Sequence, residues 1–150
     1  MHAPPEFTIL RSAWNDAAAD LRAIRRAVFI EEQNVPEELE WDALDGQSLH
    51  VLAITAGGEA VGTGRLLPDA HIGRMAVLAP WRRSGVGAAM LAELIVAARE
   101  RHHAAVELSA QTHAIGFYRR FGFEIISAEY LDAGIPHRSM RLALLKASAV

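Results

Sequence analysis

Apolar positions recur with two different periods along the chain, and the switches between them outline an alternation of strands and helices. Phe7 to Leu10 reads as a first strand. Leu21, Ile24, Ala27 and Val28 then share one face at helical spacing, with Asn15 or Asp16 as the expected cap. Arg22, Arg25 and Arg26 occupy the other faces of this helix, so its apolar side is expected to pack on a sheet. Ser48 to Thr55 and Glu59 to Leu67 are apolar runs separated by Gly57-Gly58, a two-residue hairpin signal. Pro68-Asp69 marks the next turn, and His71 to Leu78 completes an expected antiparallel meander of three strands. In the middle strand Gly62 and Gly64 fall on one face and Thr63 and Arg65 on the other, which leaves room for a close neighbour or a bulge.

Helical period returns from about Ser84 to Arg101, where Gly87, Leu91, Leu94, Ile95 and Ala98 line one face and Glu93, Arg99 and Glu100 the others. Ala105 to Ala110 is a short strand. A helical crossover lets it lie parallel to the strand ending at Leu78. Thr112 is placed to cap a short helix with Ile115, Tyr118 and Phe121 on one face and Gly122 at its end. Phe123 to Ser127 follows, then a loop from Ala128 to His137, then a last strand from Ser139 to Leu145. The pattern predicts an α/β domain with a mixed, largely antiparallel sheet of six to seven strands flanked by helices.

Composition narrows the function. A chain of 150 residues, 51% hydrophobic and 22% charged, suits one domain with a substantial core. The formal charge of -3 and the lack of a basic, aromatic-studded face argue against nucleic acid as a partner. Cysteine is absent, which removes disulfides and a thiol nucleophile and is consistent with a cytoplasmic setting. Met1 to Glu6 lacks the pattern of a signal peptide, and no charge-free window reaches membrane-spanning length. Among seven histidines only His102-His103 are adjacent, and adjacent residues diverge on a helix, so no metal site is expected.

The strongest chemical signal is Val77-Leu78-Ala79-Pro80-Trp81-Arg82-Arg83-Ser84-Gly85-Val86-Gly87, between the third meander strand and the long helix. Pro80 stops the strand because it offers no N–H to a ladder. A helix start leaves amides unpaired and carries partial positive charge, which attracts anions. Two glycines permit close approach and two arginines add formal charge, so the expected guest is a phosphate or diphosphate. No Gly-Lys-Ser/Thr follows, which excludes a Walker loop, and Met90 stands where a dinucleotide fingerprint needs a small residue. The alternative is a glycine-bearing helix start that binds nothing.

Arg82-x-x-Gly85-x-Gly87 after Val-x-x-Pro resembles the acetyl-coenzyme A diphosphate loop of the GNAT superfamily of N-acetyltransferases. Ala114, Phe117, Tyr118, Gly122 and Phe123 are similar to a late segment of the same family, with Gln111 in place of its usual Asn and, in the loop, Arg83 in place of a common Gly. Asn34-Val35-Pro36 and Asp132 to His137 resemble a poorly characterised bacterial subgroup. The resemblance implies a GNAT-like sheet whose two parallel central strands splay apart. It also implies coenzyme contacts along Met75, Ala76 and Val77, through Arg82, Arg83, Ser84, Gly85, Val86 and Gly87, and at Gln111, Phe117 and Tyr118.

The implied reaction is direct attack of a primary amine on the thioester of acetyl-coenzyme A, with backbone N–H groups near Met75 to Val77 receiving the oxyanion. Most alkylamines are protonated at neutral pH, so a base is needed. The candidates are Glu31, Glu32, His113 and His137, with Glu32 and His137 ranked first. Tyr118 matches the family acid that assists the departing thiolate; its alternative is a core tyrosine. The acidic segment Phe29 to Asp42 is either a solvated charge run or the wall of an amine pocket formed by Phe29, Glu31, Glu32 and Trp41. Asp132 and His137 either face the acceptor or merely fix a turn. The expected partner is a small-molecule amine, a homodimer being left open. Three other functions stay in play: acetylation of a protein amine, a non-catalytic acyl-coenzyme A sensor, and a structural interaction domain.

Overall fold

The structure is a computed structural model that describes residues 6–144. β1 (Phe7–Ser12) precedes α1 (Trp14–Arg25), which runs on through a π-helical stretch, Arg26–Glu32, into the one-turn α2 (Glu37–Glu40). The meander is β2 (Leu49–Thr55), β3 (Ala60–Leu66) and β4 (His71–Val77), antiparallel throughout. A short 3-10 turn at Ala79–Trp81 leads to α3 (Val86–Glu100), β5 (Ala105–Gln111) and α4 (Ile115–Arg119). The chain then forms β6 (Glu124–Ile125), β7 (Tyr130–Asp132) and β8 (Ile135–Ala143). The strand order is β1-β2-β3-β4-β5-β8-β6, and β7 pairs with β8 beside β6. The expected six to seven strands are thus six long ones and two very short ones.

Two apolar cores sandwich the sheet. On one face Met90, Leu91 and Leu94 of α3 are wholly buried against Val51, Val61, Leu66 and Val106. Each such side chain contributes about 1.5–3 kcal/mol by leaving water. Gly62 and Gly64 face α3: a Cβ on Gly62 would lie 2.9 Å from Val86, and one on Gly64 would lie 2.6 Å from Met75 Sδ. On the opposite face Leu21 and Ile24 of α1 and Val28 of the π-helical stretch pack against Leu52 and Ala76.

Several sequence expectations are corrected. The first helix starts at Trp14 with Ala13 as its N-cap and no side-chain capping bond, so neither Asn15 nor Asp16 caps it. Arg25, expected on a polar face, is 1% exposed because the acidic segment folds over it. The β2–β3 connection is wider than a two-residue hairpin: Thr55 N–H donates to Glu59 O and Gly58 N–H to Thr55 O. Thr112 opens a 3-10 turn without capping it by its side chain. The loop expected from Ala128 to His137 is largely a tight hairpin, since Asp132 pairs with Ile135 across Ala133 (φ 51) and Gly134 (φ 78), and the last strand therefore starts at Ile135. Two consecutive positive φ values define the turn type whose twist matches a hairpin. The expected strand end at Leu145 and the Met1 to Pro5 stretch lie outside the described residues.

Candidate active site

β4 and β5 run parallel but pair at only two positions, His71 with Glu107 and Ile72 with Leu108. Beyond them the strands diverge, and each leaves one row of backbone groups without a sheet partner. A cleft of about 850 Å³ opens there, at the carboxyl ends of the two strands. Met75, Ala76 and Val77 form one wall, Ser109 and Gln111 the other, and Phe117 and Tyr118 close the end nearest α3. Strand geometry alternates the direction of backbone groups. Leu78 N–H donates to Val61 O on β3, so the Val77 groups point the other way, into the opening.

The loop before α3 leaves backbone amides open. Gly85 takes φ 90, and a Cβ there would meet nothing within 4 Å, so the space beside the turn is open. The first helical bond runs from Ala89 N–H to Gly85 O, which leaves the amides of Val86, Gly87 and Ala88 without helical acceptors. Arg83 adopts φ 62, a left-handed conformation that glycine enters without strain. The position where the family commonly has glycine is therefore a left-handed one. Ser84 Oγ donates to Trp81 O and tightens the turn. Gly87 approaches Phe117 and Val77 and lines the cleft. These open amides and the glycine turn fit a diphosphate.

Arg82 does not reach toward the helix start. Its Nε donates to Val77 O, and its two Nη groups bind Glu32 at 2.7 and 2.6 Å. Arg82 holds the Glu32 carboxyl below its ordinary range and occupies both oxygens, which leaves Glu32 a weak proton acceptor in this arrangement. Next to it Gln111 Nε2 donates to Gln33 Oε1, a second link across the cleft from β5 to the π-helical stretch. Of the expected amine pocket, Phe29 and Glu32 line the cleft. Glu31 is exposed outside it, and Trp41 instead lies over the guanidinium groups of Arg22, Arg25 and Arg26.

His137, Asp132 and His113 also line the cleft. The β7–β8 hairpin supplies the first two, and His137 is 8% exposed and stacked against Tyr130. His137 Nδ1 lies 2.6 Å from Ile135 O. A carbonyl can only accept, so Nδ1 carries the proton and the neutral ring keeps its lone pair on Nε2. Tyr118 sits between Phe117 and Phe123 in edge-on contacts, and burial pushes its hydroxyl up to about 12.

Behind the cleft lies a charged cluster that the sequence reading did not anticipate. Arg25 Nε donates to Glu40 Oε2 and its Nη1 to Asp45 Oδ1, both at 2.7 Å. Arg65 binds both oxygens of Asp42 at 2.8 Å and also reaches Asp45 at 2.9 Å. Arg74 joins from β4, where it too lines the cleft. Burial raises the Glu40 carboxyl despite its arginine neighbours, whereas Arg65 draws Asp42 down to about 2. His50 donates from Nε2 to Asp45 O, and burial lowers its basicity. Glu32, Glu37, Glu40 and Asp42 of the acidic segment are thus ion-paired rather than simply solvated. Among the described residues no group of three His, Asp or Glu side chains is arranged to hold a metal, and no helix is long and apolar enough to cross a membrane.

A diverging parallel pair beside a glycine-started helix is the architecture of an acyltransferase whose donor is a coenzyme A thioester. Comparison with known proteins agrees. A family model described as an acetyltransferase (GNAT) domain matches residues 14–144. YjcF of Bacillus subtilis, an uncharacterized N-acetyltransferase, is 40% identical over 121 residues, covering 78% of this chain and 86% of that protein. ElaA of Escherichia coli is 32% identical over 137 residues, covering 85% and 88%. The crystal structure of an acyl-CoA N-acyltransferase from Pseudomonas aeruginosa gives a TM-score of 0.82 at 30% identity, covering 92% of this chain and all of that one. The chain belongs to the GNAT acetyltransferase family and is an acyltransferase.

Proposed function

We propose that the protein transfers an acetyl group from acetyl-coenzyme A to the primary amine of a small molecule. The observation that carries this reading is the meeting, in one cleft, of unpaired β4 backbone, a tyrosine hydroxyl and an imidazole lone pair. The diphosphate rests on the amides that open α3, and the extended arm of the coenzyme bonds to the free edges of β4 and β5 in the manner of an added strand. Val77 N–H is oriented to receive the carbonyl oxygen as it becomes an oxyanion.

His137 Nε2 takes the proton of the bound ammonium, and the freed amine nitrogen attacks the thioester carbon. The C–N bond forms, the C–S bond breaks, and the second nitrogen proton passes to the departing sulfur, which leaves as the free thiol, while the first stays on His137 until solvent takes it. A hydroxyl near 12 is a weaker acid than a thiol of about 8.5, so Tyr118 acts chiefly by donating a hydrogen bond to the thiolate. Glu32, with both oxygens held by Arg82, is the weaker candidate for proton removal. Thiol release from acetyl-coenzyme A across a panel of amines tests the reading, and the absence of cysteine removes any background from the protein. His137→Gln is expected to lower kcat/KM by roughly 10²–10⁴-fold while coenzyme binding persists. Amine-independent binding without release would identify a sensor instead.

A further inference from the structure

Arg74 is the most strained charged residue facing the cleft. It follows the last β4–β5 pair by two residues and sits at φ 50, in the left-handed region that an arginine rarely adopts. The β3–β4 register explains this. Arg65 pairs with Gly73 and Thr63 with Ala76, so one residue between the β3 partners opposes two on β4, the signature of a bulge. Ile72 and Met75 both pack into the α3 core although they are three apart, an odd interval that simple alternation forbids. Without the extra residue Arg74 would share the face of Ile72 and enter that core. The bulge turns it to the other face, beside α2 and the cleft.

The shortest bonds to the acids behind it come from other arginines, while Arg74 supplies the third positive charge against Glu40, Asp42 and Asp45. Glu40 and Asp45 each bind Arg25 at 2.7 Å, and Asp42 binds Arg65 through both oxygens at 2.8 Å. Arg74 makes the looser contacts: Nη2 lies 3.3, 3.1 and 3.4 Å from Leu39 O, Glu40 O and Asp42 Oδ2. Its Nε is 3.1 Å from Glu40 Oε2 without an aligned hydrogen bond. These contacts hold one side of the guanidinium. Among the described residues Nη1 has no hydrogen-bond acceptor, and the side chain keeps 27% of its exposure. A planar fork anchored on one side and free on the other is suited to a carboxylate. Strain of this kind persists where the surroundings hold it for a purpose.

We infer that the acceptor is an amine that also bears a carboxylate, of the amino acid class, and that the Nη1 edge of Arg74 receives that carboxylate. This rests on the acetyl-transfer reading above. The ammonium end then lies toward Asp132 and His137, the acid and the imidazole of the facing hairpin.

The experiment compares matched pairs in the thiol-release assay: phenylalanine against phenethylamine, lysine against cadaverine, leucine against 3-methylbutylamine, with wild type and Arg74→Gln. A charge-assisted hydrogen bond is expected to give the wild-type enzyme a roughly ten- to hundred-fold higher kcat/KM for the member with the extra carboxylate, falling toward parity in Arg74→Gln. If Arg74→Gln does not fold, the wild-type ratios decide alone. Equal or better use of the decarboxylated members overturns the inference and leaves amine acetylation standing. A preference that survives in a folded Arg74→Gln protein overturns the role of Arg74. No thiol release with any amine overturns the transfer reading itself.

Discussion

Removing the Glu32 carboxylate is expected to strengthen coenzyme binding. Arg82 flanks the glycine turn, yet both its Nη groups are committed to Glu32 at 2.7 and 2.6 Å, so an arriving diphosphate competes with that carboxylate for the same guanidinium. The two side chains keep 39% and 45% of their exposure, and water and salt screen the pair. A bidentate pair at that exposure is worth about 0.5–1 kcal/mol. Relieving it in Glu32→Gln should tighten the coenzyme Kd by roughly two- to five-fold, at about 1.4 kcal/mol per decade. Titration calorimetry with coenzyme A measures this directly. The gain should shrink as salt rises, because screening weakens the competing pair in the wild type. An unchanged or weaker Kd would refute the competition. The same variant separates two roles for Glu32, since a general base would lose at least about 10²-fold in kcat, whereas a competitor for Arg82 would not.

Tyr118→Phe is expected to lower kcat by roughly ten- to several-hundred-fold with little change in coenzyme Kd, read by steady-state kinetics and calorimetry. Gly64→Ala should destabilise the fold by about 1–3 kcal/mol, because its Cβ would lie 2.6 Å from Met75 Sδ and 3.1 Å from Leu94; thermal unfolding reports it as a lower Tm. Asp42 has a folded pKa of about 2, below its unfolded value near 4. Its contribution is therefore present above pH 4 and lost as pH falls toward 2, and after allowance for its partial exposure it amounts to about 1 kcal/mol. Asp42→Asn should flatten that part of the acid-unfolding profile, and an unaltered profile would show that the Arg65 pair carries no linkage.

The glycine turn and the helix it starts were legible because they are local. Pro80, Gly85 and the apolar face of α3 lie within one contiguous stretch, and Gly62 and Gly64 announced the close approach of that helix. The charged cluster behind the cleft was obscure because its partners are distant in sequence. Nothing beside Arg25 says that Glu40 and Asp45, 15 and 20 residues on, will close over it. Trp41 looks like a pocket wall in the sequence, yet the arginines of α1 claim its ring. The hairpin at Ala133-Gly134 was hidden because alanine is a poor marker for a turn that needs positive φ, and Asn-Gly would have given it away. For Arg74 a signal existed: Ile72 and Met75, apolar residues an odd number apart in one strand, betray an inserted residue.

The alanine at position 133 also bears on how such a site diversifies. Held at φ 51 where glycine or asparagine is at ease, it keeps a conformational penalty of about 1 kcal/mol in the native protein. A single exchange to glycine or asparagine could release that penalty without altering Asp132 or His137. The released stability could offset a loosened charge cluster when the acceptor wall mutates toward a new amine. The tip of one hairpin thus stores tolerance for change along the wall of the cleft.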